Sequence, residues 1–331
     1  MAGRYLPRPA PRGPVPQPRG AAAGAEDTGS DRTWRAPGPL DVPLILGPLR
    51  RGAGDPTYHL AADGAVWRAS RTPQGPGTLR VAAGAGAEEA GARAWGPGAE
   101  WLLDRLPELL GGTDDPDAFV PRHRLLAVAR SRRPGLRLVR TGLVLESLIP
   151  SVLEQKVTTA EAYRAWRLLV RQYGERAPGP CPVPMHVMPE PAVWARIPSW
   201  EWHGAGVDAK RSATVLRAVR VARRLEEAAG MGLPEASARL GLIPGIGPWT
   251  TAETLQRTNG AADAVTVGDL HLPGVVGYAL AGEREADDAR MLELLEPYEG
   301  QRHRAVRLVL TTGRTPPRRA PKMRKTNIAT L

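Results

Sequence analysis

The sequence predicts a mainly α-helical fold, preceded by a small antiparallel α/β unit and flanked by unstructured basic ends. Three observations predict it. From about Gly135 to Leu310 apolar residues recur at helical spacing with no convincing strand; between Val42 and Gly84 they come in short runs around an Asp-Gly step; and residues 1–40 and 311–331 have almost no apolar period. The organisation that follows is an arm over 1–40, a small α/β domain over 41–131, a helical domain over 132–310 and a tail over 311–331.

Residues 1–40 carry eight prolines and several glycines, a composition that cannot bury enough surface to offset the entropy of ordering, so the arm is expected to be disordered. The runs VPLILGPL (42–49), TYHLAADGAVWRAS (57–70) and GTLRVAAG (77–84) predict a sheet of three or more strands, with Ala62-Asp63-Gly64 as a hairpin turn. A Gly/Ala-rich stretch then predicts a loop. AEWLLDRLPELL (99–110) and PDAFVPRHRLLAVARS (116–131) read as helices trimmed or kinked by Pro107 and Pro121. Leu145, Leu148, Ile149, Val152, Leu153 and Val157 form a buried helical stripe, kinked at Pro150. An amphipathic helix over 159–174 ends at Gly174, and a Pro/Gly/Cys loop reaches Pro191. The next helix, 207–230, carries Arg217, Arg220 and Arg224 on one face, which reads as a solvated charged face.

Composition removes several function classes. One cysteine, Cys181, cannot form an internal disulfide, a thiolate zinc site or a four-cysteine cluster. No apolar run approaches the ~20 residues of a membrane-spanning helix, and the N-terminus lacks the apolar core of a signal peptide. The expectation is a cytoplasmic protein with no membrane partner. The net charge of +11 points to a polyanion. However, the first 40 residues hold six arginines against three acids and the last 21 hold six basic residues against none, so residues 41–310 retain only +2. A folded nucleic-acid site must therefore be a local patch, with the ends adding non-specific attraction to phosphate.

The informative segment is EASARLGLIPGIGPWTTAETLQRTNG (235–260). A short helix ends near Leu240, the turn Ile243-Pro244-Gly245-Ile246-Gly247 follows, and Pro248 stands at the first position of a second helix, where its missing N–H costs nothing. Glycines at such a turn let the backbone approach another molecule and leave N–H groups pointing outward at a helix N-terminus. This arrangement binds a phosphate and reads no base sequence. On chemistry alone a plain helical hairpin explains it equally well.

Asp269, in AVTVGDLHL, follows Gly247 by 22 residues. With RPGLRL (133–138), LEQKVT (153–158), RQYGER (171–176) and the helix bearing Lys210, all in order, the segment resembles the helix-hairpin-helix superfamily of base-excision DNA glycosylases. The similarity is greatest to the bacterial 3-methyladenine DNA glycosylase II family and spans roughly residues 42–310. It implies a helix-hairpin-helix glycosylase fold with a small N-terminal sheet domain, acting as a monomer on double-stranded DNA.

The resemblance implies Asp269 as the catalytic carboxylate, stabilising positive charge on the sugar and orienting water; without it, Asp269 reads as an ordinary helix N-cap. Trp249 stands where lyase-active members carry a Schiff-base lysine, so a monofunctional enzyme is expected, with the indole stacking on the extruded base and a core tryptophan as its alternative reading. Matching positions place Glu253 and Gln301 in the base pocket, Glu253 having solvent exposure as its alternative reading. DNA contacts fall to Gln155, Lys156, Gly245, Ile246, Gly247, Thr250 and Arg302; Gln155 reads as a minor-groove contact, with a satisfied structural amide as its alternative. Lys156 replaces an apolar wedge, filling space with its stem and reaching phosphate with its head. His271 reads as incidental. No metal spacing is visible and no cofactor is expected, although hairpin carbonyls of this superfamily can hold a monovalent cation.

An alkylated purine is already cationic and leaves as a neutral base without an acid, so one carboxylate suffices for 3-methyladenine or 7-methylguanine. Two other readings stand beside this one: a non-catalytic DNA-binding protein, and a glycosylase for a deaminated or oxidised base. The latter predicts an extra acid or hydrogen-bond donor in the pocket, for which Glu253 is the visible candidate.

Overall fold

A computed structural model describes residues 29–317. The predicted tail beyond Pro317 and the first 28 residues of the arm lie outside the described residues. The chain runs β1 (Ser30–Arg35), α1 (Val42–Leu46), β2 (Tyr58–Leu60), β3 (Val66–Thr72), β4 (Gly75–Ala83), β5 (Glu89–Trp95), α2 (Ala99–Asp104), α3 (Leu106–Leu109) and α4 (Arg124–Arg132). It continues with α5 (Val144–Leu153), α6 (Thr159–Tyr173), β6 (Glu175–Arg176), β7 (His186–Val187), α7 (Pro191–Trp194), α8 (Ser199–Gly204), α9 (Ala209–Arg220) and α10 (Ala222–Glu226). The last elements are α11 (Leu233–Gly241), α12 (Pro248–Thr258), α13 (Leu272–Ala281), α14 (Asp288–Leu295) and α15 (Arg302–Thr311).

The sheet is antiparallel in the order β1-β5-β4-β3-β2. The expected Asp-Gly turn joins β2 to β3: Leu60 pairs with Val66, and Asp63 accepts from the Ala65 N–H. Three expectations are corrected. Residues 30–35 of the supposed arm form edge strand β1 on β5; its side chains are mostly exposed, so no burial alternation marks it. VPLILGPL is helix α1 followed by a turn of 3-10 helix, capped by Asp41 on the Leu44 N–H, with Pro43 in its first turn. The Gly/Ala-rich loop contains β5, in which Ala90, Ala92 and Ala94 turn inward against Glu89, Gly91 and Arg93, a period of two hidden by small side chains.

Two further departures concern the helices. Arg105 separates α2 from α3, and Pro121 leaves only 124–132 helical in the second predicted segment. The segment between α6 and α7 holds the two-residue pair β6–β7, where no strand was expected, and Val187 packs with Trp67 and Trp95 of the sheet.

The helical core forms around α5, whose predicted stripe from Leu145 to Leu153 is buried against Trp166, Leu169, Val215 and Leu255. The capping box of Thr158 and Glu161 starts α6, and Glu226 caps α5 by accepting from the Val144 and Leu145 N–H groups. A third cluster joins α4 to α13, α14 and α15, so α4 packs with the C-terminal helices. Among the described residues no helix is long and apolar enough to cross a membrane.

Candidate active site

The hairpin of α11 and α12 supplies the first part of the site. Pro248 takes the predicted first position of α12. Gly245 has φ +99°, and a Cβ there would meet Thr214 Oγ1 at 2.2 Å, so the turn itself demands glycine. Gly247 has an ordinary φ of −106° and nothing within 4 Å of an added Cβ. Nothing inside the chain demands glycine at 247; an approaching ligand would. Both glycines are exposed, and among the described residues neither N–H has an acceptor.

The turn is braced from two sides. Gln155 Nε2 donates to Gly245 O at 3.0 Å and Thr250 Oγ1 at 2.7 Å, and Arg217 Nη1 donates to Pro244 O at 3.2 Å. The Ile243 carbonyl accepts from the Ile246 N–H. Among the described residues no group of three or more His, Cys, Asp or Glu side chains could hold a metal ion.

Asp269 stands at the start of α13. Its Oδ1 accepts from the His271 and Leu272 N–H groups, each at 2.8 Å, and its Oδ2 accepts from Trp249 Nε1 at 3.1 Å. The helix end and the indole together fix the position of the carboxylate. The chain leading to it is also held. Gln256 donates to Ala264 O and Thr266 Oγ1, Thr266 donates to Glu253, and Gly268, at φ +86°, donates its N–H to Asp288. Helix α12 therefore presents the glycine turn at its N-terminal end and, through Trp249, Gln256 and Glu253, positions Asp269 and the chain leading to it.

Asp269 lines a cavity of about 430 Å³ between α1 and the chain after it on one wall and α12, α13 and α15 on the other. Ion pairs bridge its lining. Glu253 accepts from Arg257 at 2.8 Å, and Glu154 from Arg51 at 2.9 Å. Although burial opposes the charge of Arg257, Glu253 and Glu154 raise its pKa above the ordinary value. Among the described residues Arg307 has no carboxylate partner; burial and the neighbouring Arg257 lower its pKa to about 10. His303, buried and surrounded by Arg307, Arg257 and Arg304, is held neutral, well below the usual histidine range.

The structure sorts the predicted residues. Asp269 and Glu253 share the cavity, and His271, read as incidental, lines it as well. Trp249 is half-buried and serves as hydrogen-bond donor to Asp269. Gln155 makes the hydrogen bonds of its structural reading through Nε2. Lys156 is exposed just beyond it with φ +55°, the one non-glycine residue in the left-handed region among those described. Gln301, expected in the pocket, instead begins α15 and accepts from Arg304, which pairs with Asp114. Arg302, expected near the pocket or the phosphates, grips Asp263, with Nε to Oδ1 at 2.8 Å. Ile246 and Thr250, expected at the DNA, are buried in the helical core. The sequence reading missed Arg307, His303 and Arg137 and the entire wall from Ile45 to Arg51. The spacing of Glu253 and Arg257 by four was the available signal that this carboxylate has a partner.

No family model and no curated protein sequence matches the chain. Similar solved structures include the 3-methyladenine DNA-glycosylase from Archaeoglobus fulgidus, at TM-score 0.68 and 16% identity, covering 84% of this chain and 97% of that one. They also include the 8-oxoguanine glycosylase/lyase from Clostridium acetobutylicum, at TM-score 0.66 and 12% identity over 85% and 95% of the two chains. MBOgg1, solved with a low-affinity DNA ligand, gives TM-score 0.67 and 12% identity over 87% and 98%. Over almost the whole length of these proteins, the chain has the helix-hairpin-helix DNA glycosylase fold.

Proposed function

We propose that the protein is a monofunctional DNA glycosylase of base-excision repair, acting as a cytoplasmic monomer on double-stranded DNA. The observation that carries this reading is Asp269. Its carboxylate lines a cavity, is fixed by three N–H donors and, among the described residues, has no basic side chain paired to it, and Trp249 ties it to the N-terminal end of α12, where the glycine turn offers free N–H groups. A pure DNA binder has no use for an anion held beside a polyanion. In a glycosylase the flipped nucleotide brings its C1′ to this carboxylate, which stabilises the oxocarbenium-like sugar and takes a proton from the attacking water. The N–H groups of Gly245 and Gly247 receive a phosphate, and Lys156 fills the space the base vacates. Trp249 has no amine to attack C1′, so the product is an abasic site with an intact strand.

On leaving-group chemistry alone, the lesion class is the alkylated purines, 3-methyladenine and 7-methylguanine, which need no acid. The reaction is tested by incubating methylated duplex DNA and duplexes with deaminated or oxidised bases with the wild-type protein and Asp269→Asn. Base release by the wild type, lowered roughly 10²–10³-fold in Asp269→Asn with strand breaks only after alkali, is expected. Salt-sensitive DNA binding with no release from any lesion would overturn the assignment.

A further inference from the structure

The small surplus of positive charge in residues 41–310 is unevenly placed. Residues 207–225 hold six basic side chains against one acid, a net +5, so the remainder of 41–310 carries a net −3. This stretch is α9 and most of α10. Asp208, its one acid, caps α9 and pairs with Arg211 at 2.6 Å. The acids that follow are committed as well, Glu226 to the first N–H groups of α5 and Glu227 to Arg239 at 2.7 Å. Lys210, Arg220, Arg223 and Arg224 are exposed, and among the described residues no acid pairs with them.

Placement separates this patch from an ordinary solvated face. Lys210, Thr214 and Arg217 follow at i, i+4 and i+7 on one face of α9, and that face meets the hairpin: Thr214 abuts Gly245, and Arg217 Nη1 donates to Pro244 O at 3.2 Å. Lys210 precedes the contact by one turn, and Arg220, Arg223 and Arg224 carry the charge onward. From Lys210 to Arg220 the helix rises about 15 Å, a length over which one strand of a duplex presents about four phosphates. Like charges one turn apart, as at Arg217 and Arg220, repel, so the fold gains nothing by leaving them unanswered. Residues 122–133 are comparably rich in arginine, but their helix, α4, packs into the cluster of the C-terminal helices, whereas α9 touches the glycine turn itself.

We infer that Lys210, Arg220, Arg223 and Arg224 form a phosphate track that continues the anion site of Gly245 and Gly247 along α9 and α10 and holds the duplex backbone beyond the extruded nucleotide. The inference rests on the glycosylase reading and names how its DNA partner is held outside the cavity. Arg217 joins the track to the turn; with one N–H on Pro244 O, it keeps further donors for the same backbone. The track acts by charge and reads no base. Its phosphate contacts release condensed counterions, so the grip weakens as salt rises and extends to undamaged duplex.

The test measures binding of a labelled undamaged duplex by fluorescence anisotropy between about 50 and 200 mM salt, using full-length protein. It compares the wild type, Arg220→Gln/Arg223→Gln/Arg224→Gln, and Arg124→Gln/Arg132→Gln/Arg133→Gln on α4. Each phosphate contact contributes about 0.9 to the slope of log affinity against log salt, so the first triple variant is expected to flatten the slope by about 2–3 and the second to leave it unchanged. The first variant is also expected to unfold at the wild-type temperature or above, because it removes repelling charges and no partner. Lys210→Gln, expected to flatten the slope by about 1, is an independent single-residue check. The basic ends are common to every protein compared and cancel. An unchanged slope in the first variant would make the stripe a solvated face, and equal flattening in both triple variants would make the effect one of net charge; either overturns the inference. Binding to undamaged duplex involves no bond cleavage, so those results leave the glycosylase assignment intact, which falls only if the wild type releases no base from any lesion.

Discussion

Trp249 carries two possible uses, a face for a base and an N–H for a carboxylate, and the structure assigns the N–H to Asp269. These uses separate experimentally. Trp249→Phe keeps a flat apolar ring and deletes the donor. A hydrogen bond to a charged group contributes about 1.5–3 kcal/mol, so kcat is expected to fall roughly 10–100-fold with KM unchanged, measured on any duplex substrate that the wild type cleaves. A KM that rises with kcat preserved would mark the ring as a binding surface and the hydrogen bond as incidental. At this scale the place of Asp269 at the start of an apolar helix was legible from its residue type and position, whereas the catalytic role expected of it came from the family resemblance alone. Arg307 was not, since an arginine within RHRAVRLVL gives no sign of whether a carboxylate awaits it across the fold. Gln301 and Arg302 show the converse. Their positions matched a family pattern, but Asp263 and Arg304 engage them locally.

The hairpin rests on two glycines with different physical reasons. Gly245→Ala places a Cβ against Thr214 at a backbone angle unfavourable to alanine, and is expected to cost about 1–3 kcal/mol in urea or thermal unfolding. Gly247→Ala meets nothing and keeps an ordinary angle; its stability is expected to match the wild type while duplex affinity drops, as read by fluorescence anisotropy. Equal loss of stability in both variants would show that the turn is an internal corner with no role at phosphate. Elements with strong periodicity, such as α5, α6, α11 and α12, were legible to within a few residues. The edge strand β1 and the alanine-rich β5 were not, because strand pairing holds one and small side chains mask the alternation of the other.

The sheet and the helices are joined by buried charge as well as by apolar contact. Arg68 of β3 meets Glu146 of α5 at 2.7 Å, with side chains 10% and 9% exposed, and Glu146 also accepts from Ser70 and the Arg71 N–H. Glu146→Leu strands a guanidinium in the interface and is expected to cost about 3–5 kcal/mol by chemical denaturation, whereas Arg68→Met combined with it should recover much of that loss. If the double variant loses as much as the sum of the single ones, the pair is not a coupled unit. No local pattern reveals this contact or the cavity, because each is made by segments far apart in sequence.

One consequence follows from how the cavity is walled. Asp269 and Trp249, proposed to handle the sugar, come from the helical half, whereas Ile45, Pro48, Arg50 and Arg51 come from α1 and the chain beyond it. The proposed reacting centre and the opposite wall of the cavity thus sit on separately editable stretches of polypeptide. Under the proposed function, a change of diet could be written within residues 45–51 without a mark on the residues assigned to breaking the bond.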